Sequence, residues 1–196
     1  MKYLKLFESF EDIDNICKNY NIRNYSINTD GTIDVNGIVY LSNILLTKLP
    51  LKFNKVGYFY CNDNNLKSLE GSPVEVNGVF NCRFNKLISF EYAPKIIRGG
   101  FICSYNNIKS FEYFPSFIKD DFICVRNPIY EVWILFEDIS KIELLNDFDI
   151  FRDEDTDEPS IVLDRLNDFL LTIGKRNKRG YSYSKATEIL KSYKII

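Results

Sequence analysis

The residues with the most obvious chemical potential are the cysteines. Five occur in 196 residues, and four of them, Cys61, Cys82, Cys103 and Cys124, recur at a constant step of 21 positions. Four thiols invite a zinc reading, but zinc needs its ligands to converge tetrahedrally on one point. A fixed long step does the opposite if each copy stacks on the last, because it spreads the sulfurs into a row. Stacking also brings neighbouring Cα atoms into disulfide range. Without a secretory signal, however, reduced thiols packed as small hydrophobes are the expectation. No metal site and no cofactor are expected.

Other candidate chemistry is sparse. The chain has no histidine, which removes the commonest general base at neutral pH and every Ser/His or Cys/His arrangement. Asp153, Asp155 and Asp157 have the spacing that opens a calcium loop, but Glu158 stands where that loop needs Gly and Asp164 where it needs a bidentate Glu. Gly99-Gly100 and Gly174-Lys175 lack the remainder of a phosphate-binding loop. Lys175, Arg176, Lys178 and Arg179 form a basic cluster in a chain of net charge −2. A solvated loop accounts for it, and nucleic acid is not the expected partner. No catalytic residue is assigned.

The cysteine spacing belongs to a larger repeat. Phe59-Tyr-Cys61, Phe80-Asn-Cys82, Phe101-Ile-Cys103 and Phe122-Ile-Cys124 are each followed by an Asn three residues on (Asn64, Asn85, Asn106, Asn127) and an aliphatic residue two later (Leu66, Leu87, Ile108, Ile129). The first three copies add Leu69, Phe90 or Phe111 and then Pro73, Pro94 or Pro115. Self-similarity at this period predicts a solenoid. Alternating apolar residues predict a short strand with Phe and Cys on its inner face. Stacked copies give parallel strands ~4.8 Å apart. The Asn column is expected to bond backbone groups where the chain leaves the strand.

Val56-x-x-Phe59-x-Cys61-x-x-Asn64-x-Leu66 resembles the leucine-rich-repeat pattern LxxLxLxxNxL, with Phe and Cys in place of Leu. In later copies the leading Val76, Ile97 and Ile118 sit one position earlier, with Gly78, Gly99 or Asp120 in the space created, which predicts a bulge or turn. The wording SLEGSPVEVNGVFNC is also similar to small leucine-rich-repeat proteins of tailed bacteriophages. The resemblance implies the α/β class by family, with short parallel strands on a concave face and an irregular convex side. It also implies protein binding on the concave face.

The flanks carry different patterns. Leu6, Phe10, Ile13 and Cys17 lie on one face of an amphipathic helix, preceded by Ser9-x-x-Asp12. Asp30-Gly31 predicts a hairpin turn, Asn36-Gly37 a second turn, and Val39-x-Leu41 a degenerate first rung. Beyond Asn127-Pro128 the period becomes helical through Ile129, Val132, Trp133 and Phe136, with a helix start at Ser160 and a final helix over Ser184–Tyr193. Residues 1–38 are thus read as an N-terminal helix and hairpin cap, 39–129 as the leucine-rich-repeat solenoid, and 130–196 as a helical C-terminal cap. No apolar run is long enough to span a membrane, and acidic residues from Glu8 onward interrupt any signal-peptide pattern.

The remaining candidate is a surface. Residues interleaved with the buried columns, and those just after each Cys, are expected to line the concave face. These are Tyr58, Tyr60, Asn62 and Asp63, then Val79, Asn81, Arg83 and Phe84. They continue with Ile102, Ser104 and Tyr105, and finally Ile123, Val125 and Arg126. The expected protein-binding residues are Tyr58, Tyr60, Arg83, Phe84, Ile102, Tyr105, Ile123 and Arg126, because aromatic, aliphatic and Arg side chains together suit a protein contact. The reading is a non-enzymatic interaction module, phage-encoded, acting in the host cytoplasm or carried in the virion, with a host or phage protein as partner. Two alternatives stand beside it. One is a packaged or structural virion component whose leader, MKYLKLFESF, resembles those of phage internal head proteins and is processed after Leu6-Phe7-Glu8. The other is an enzyme whose activity lies in the C-terminal helical region.

Overall fold

The computed structural model describes residues 12–129, together with 151–152, 160–162, 164–165 and 194–195. The leader and its Leu6-Phe7-Glu8 site, the helical face around Trp133, the basic cluster at 175–179, the acidic run at 153–158 and the helix expected over 184–193 lie outside the described residues.

Residues 12–19 are helical. The helix ends where Asn21 takes a left-handed conformation at φ 53°. Ile22 N–H donates to the Cys17 carbonyl at 2.8 Å, and Asn21 N–H to that of Lys18 at 3.1 Å. This is a Schellman closure, with Asn in the position that usually takes Gly. The buried face holds Ile13 and Cys17, and Ile22 joins them in the same cluster as the repeats. Tyr25 reaches back to this helix, donating from its hydroxyl to Asp14 Oδ1 at 2.5 Å. That bond pushes the phenol up to about 12. Burial, then the Asp14 charge, pushes the Cys17 thiol up to about 11.

β1 (Tyr25–Ile27) pairs antiparallel with β2 (Ile33–Tyr40), Ser26 opposite Asp34. The expected Asp30-Gly31 turn joins them. Gly31 sits at φ 81°, and Asp30 Oδ1 accepts from the Thr32 amide and hydroxyl. The second expected turn is not one. β2 runs straight through Asn36-Gly37, which form a bulge marked by register shifts against the next strand. Asn-Gly turns a chain when nothing pairs with it, and here the neighbouring strand holds both sides of the dipeptide extended.

β2 and β3 (Phe53–Tyr60) run parallel, Val39 opposite Phe59 and Tyr40 opposite Tyr60, so Val39-x-Leu41 is the first rung. Each later rung is broken into two short pieces. These are β4 (Glu75–Val76) and β5 (Phe80–Asn81), β6 (Ile96–Ile97) and β7 (Phe101–Ile102), and β8 (Phe117–Ile118) and β9 (Phe122–Ile123). All pair parallel, in the order β8-β6-β4-β3-β5-β7-β9. The architecture is a solenoid of stacked parallel strands with few helices.

The break has a simple origin in the sequence. Val56 pairs with Val76 but Phe59 with Phe80, so each later rung carries one more residue between its two pieces. That is the bulge predicted from the displaced Val76, Ile97 and Ile118. Glycine is needed there for closeness. A Cβ on Gly57 would lie 2.4 Å from the Gly37 carbonyl oxygen, and one on Gly99 would lie 2.6 Å from the carbonyl of Gly78.

The inner columns form the core. Phe59, Phe80 and Phe101 are wholly buried, and ring centroids step from Phe59 to Phe80 by 5.7 Å, to Phe101 by 5.5 Å and to Phe122 by 5.6 Å. Burial of each ring contributes roughly 1.5–3 kcal/mol. A second column, Leu69, Phe90 and Phe111, closes the far side, and Phe114 meets Phe90, Phe111 and Phe122 edge-on. Cys61, Cys82, Cys103 and Cys124 are buried free thiols. Burial raises all four thiol pKa values, those of Cys82 and Cys103 well above the ordinary range.

In the C-terminal part, β10 (Phe151–Arg152) pairs antiparallel with β11 (Ser160–Ile161), which pairs parallel with β12 (Lys194–Ile195). Ser160 is therefore a strand residue where the sequence suggested a helix start. Pro159-Ser160 is a helix-opening signal by local chemistry alone, whereas the pairing of β11 with β12 is long-range. Among the described residues no helix is long and apolar enough to cross a membrane.

Candidate functional site

The surface is set by the corner that follows each strand. There the Asn column does what its offset predicted. Asn85 donates from Nδ2 to the carbonyls of Cys82 and of Cys61, one rung back, both at 3.0 Å, while its Oδ1 accepts from the Leu66 amide at 2.9 Å. Asn106 repeats this with Cys103, Cys82 and Leu87, and Asn127 with Cys124, Cys103 and Ile108. Each side chain thus staples two rungs and satisfies a buried amide.

The residue before each Asn is left-handed, and so is Asn43 at the equivalent corner of the first rung, where Ile44 stands in place of the Asn and its amide donates to Asn64 of the next rung. Asn43, Asp63, Phe84, Tyr105 and Arg126 occupy successive corners at φ 56°, 56°, 51°, 57° and 60°. Asn and Asp tolerate that region; bulkier residues do so at a cost of order 1–2 kcal/mol. The corner amides remain paired rung to rung, Phe84 N–H to the Ser104 carbonyl and Tyr105 N–H to that of Val125.

The eight expected binding residues fall on the outer side of the strands and at these corners. Tyr58 and Ile123 are exposed, and Tyr60 and Ile102 half-buried, on the strands. Arg83, Phe84, Tyr105 and Arg126 are exposed at the corners. Phe84 and Tyr105 stack with centroids 4.2 Å apart and planes 17° from parallel, and the Arg83 guanidinium lies 5.6 Å from the Phe84 centroid. The structure brings these three into one cluster, with Arg126 at the next corner. Tyr58 and Tyr60 lie on the earlier rung.

Three polar residues expected on this face are instead buried: Asn62, Asn81 and Ser104. Asn62 Oδ1 accepts from the Ser42 hydroxyl and its Nδ2 donates to Asp63, Asn81 Oδ1 accepts from the Arg83 amide, and the Ser104 hydroxyl donates to the Ile123 carbonyl. Short polar side chains fold back onto backbone and side chains of their own or the neighbouring rung, leaving the aromatic ones to project.

Two of the most exposed apolar residues escaped the sequence reading, Ile38 at 59% and Tyr40 at 66%. The signal was present, since Val39-x-Leu41 places Tyr40 in the slot of Tyr60. The two rings are 6.0 Å apart. Among the described residues no group of three or more His, Cys, Asp or Glu side chains is placed to hold a metal ion.

No known protein family, no curated protein and no solved structure matches this chain.

Proposed function

We propose that the chain is a non-enzymatic protein-binding module of leucine-rich-repeat type, whose outer strand face and corners form a concave docking surface. One observation supports this reading above the rest. Tyr40, Tyr58 and Ile123 on the strands, and Phe84, Tyr105 and Val125 just beyond the strand ends, are each at least 39% exposed. Exposed aromatic and aliphatic side chains gathered on one face mark interaction surfaces. Rung-to-rung pairing holds them before binding, so little ordering entropy is lost on association. The leucine-rich-repeat subtype is favoured by the Asn staples and the 21-residue step. The resemblance to phage-encoded repeat proteins makes a host or phage protein the partner to seek.

Affinity purification from infected cells with mass spectrometry identifies candidates, and titration of the purified candidate tests the face. Tyr58→Ala or Tyr60→Ala is expected to weaken binding by roughly 2 kcal/mol, as for central aromatic anchors, with little change in Tm. Changing Lys175, Arg176, Lys178 and Arg179 together to Gln is expected to leave it nearly intact. The reverse pattern refutes the reading and moves the site to the C-terminal part.

A further inference from the structure

The corner column sets a comparison within the fold itself. The same left-handed corner is filled by Asn43 and Asp63 in the first two rungs, then by Phe84, Tyr105 and Arg126. The fold therefore does not require an aromatic ring there, and the residue types that best tolerate this backbone already occupy equivalent positions. Burial does not compensate for the rings either, since Phe84 is 41% and Tyr105 46% exposed. Tyr92 and Tyr113 are also left-handed and exposed, and what distinguishes Phe84 and Tyr105 is that their rings stack on one another beside two Arg side chains.

The charge around them is mostly positive, Arg83 and Arg126 against Asp63 at the corner before Phe84. Arg83 and Arg126 flank the stack and are exposed, and among the described residues neither forms an ion pair. Elsewhere the arrangement differs, as Arg98 and Lys55 both meet Glu75. The acidic corner, Asp63, already accepts from the Asn62 amide. Arg83 and Arg126 are two rungs apart, about 10 Å, which matches side chains three residues apart on one side of a polyproline II segment.

We propose that Arg83, Phe84, Tyr105 and Arg126 form the anchor site for an acidic segment of a protein partner, with carboxylates seated on the two guanidinium groups and an apolar or aromatic side chain packed against the Phe84–Tyr105 stack. The inference rests on the strand-face reading and narrows it to one cluster and one partner chemistry. Guanidinium groups pair bidentately with carboxylates, and the rings supply rigid contact area at low entropic cost.

The test uses the full chain and three fluorescent probes: a peptide of five Glu-Tyr-Pro repeats (the Glu-Tyr peptide), the same peptide with Lys for Glu (the Lys-Tyr peptide) and a ten-residue single-stranded oligothymidylate. The Glu-Tyr peptide is expected to bind, and more weakly as salt rises. The paired change Arg83→Gln with Arg126→Gln is expected to weaken it by about tenfold or more. The paired change Phe84→Asn with Tyr105→Asn is expected to do the same while Tm stays level or rises, since Asn suits the left-handed corner. A fall in Tm for that variant makes the rings structural and overturns the proposal. Equal binding of the Lys-Tyr peptide, preferential binding of the oligothymidylate, or no binding of the acidic peptide also overturns it. A purified partner lost on Tyr58→Ala but unaffected by the Phe84/Tyr105 variant removes this anchor and leaves the strand-face reading standing.

Discussion

Replacing Asn85 by Ala tests how far the solenoid depends on its staples. The side chain makes three principal bonds, to the Leu66 amide and to the carbonyls of Cys61 and Cys82. The two carbonyls each keep a second donor, Asn64 Nδ2 on Cys61 and Asn106 Nδ2 on Cys82. The Leu66 amide has no other partner among the described residues, and Leu66 is wholly buried. An orphaned buried donor costs ~1–3 kcal/mol and each lost carbonyl bond a fraction of the usual ~0.5–1.5, giving roughly 2–4 kcal/mol in all. For a chain of this length that corresponds to a fall in Tm of roughly 5–15 °C. Asn85→Asp keeps the acceptor but sets a carboxylate against the Cys61, Cys82 and Arg83 carbonyls, so it should destabilise at least as much. Asn107→Ala is the control, since Asn107 is exposed and its loss should stay within about 0.5 kcal/mol. Calorimetric or circular-dichroism melts of the three variants decide the matter. An Asn85→Ala protein melting within about 2 °C of the parent, or level with Asn107→Ala, refutes the staple argument; a difference that small corresponds to no more than ~1 kcal/mol.

Three further outcomes follow from the packing. The four column thiols have raised pKa values in the folded protein, so their contribution is fully present below the unfolded thiol pKa of about 8.5 and is lost as pH rises above it. Denaturant melts should show a loss of roughly 1.4 kcal/mol per thiol by about pH 9.5, or about 5–6 for the column; Cys82→Ala should remove a quarter of that slope, and a flat alkaline profile contradicts the burial. Native protein should resist thiol labelling at these four positions until it is denatured. Gly99→Ala should cost ~1–3 kcal/mol through overpacking, because its Cβ would lie 2.6 Å from the Gly78 carbonyl. Gly100→Ala, whose nearest contact would be the Asp121 carbonyl oxygen at 3.4 Å, should cost much less, and equal effects contradict the close-approach reading.

The sequence by itself determined the repeat, its inner columns and its staples, because in a solenoid each residue mainly meets its equivalents in neighbouring copies. Phe80 lies between Phe59 and Phe101 in space because it lies between them at equal steps in the chain. The Asn offset and the displaced Val76, Ile97 and Ile118 were legible for the same reason. Tertiary structure decided what local chemistry leaves open. Asn36-Gly37 is a bulge because β3 pairs alongside both ends of it. Ser160 is a strand residue because it pairs with Arg152 on one side and with the distant Lys194 on the other. Asn62 and Ser104 turned inward because bonding partners lay within reach across the rungs, and Asn81 because the Arg83 amide lay two residues on. The left-handed corner could not be read from Phe84, Tyr105 or Arg126, since none of these residue types favours it. It goes with backbone pairing from rung to rung, and only the folded rungs bring two exposed rings and two guanidinium groups to one edge.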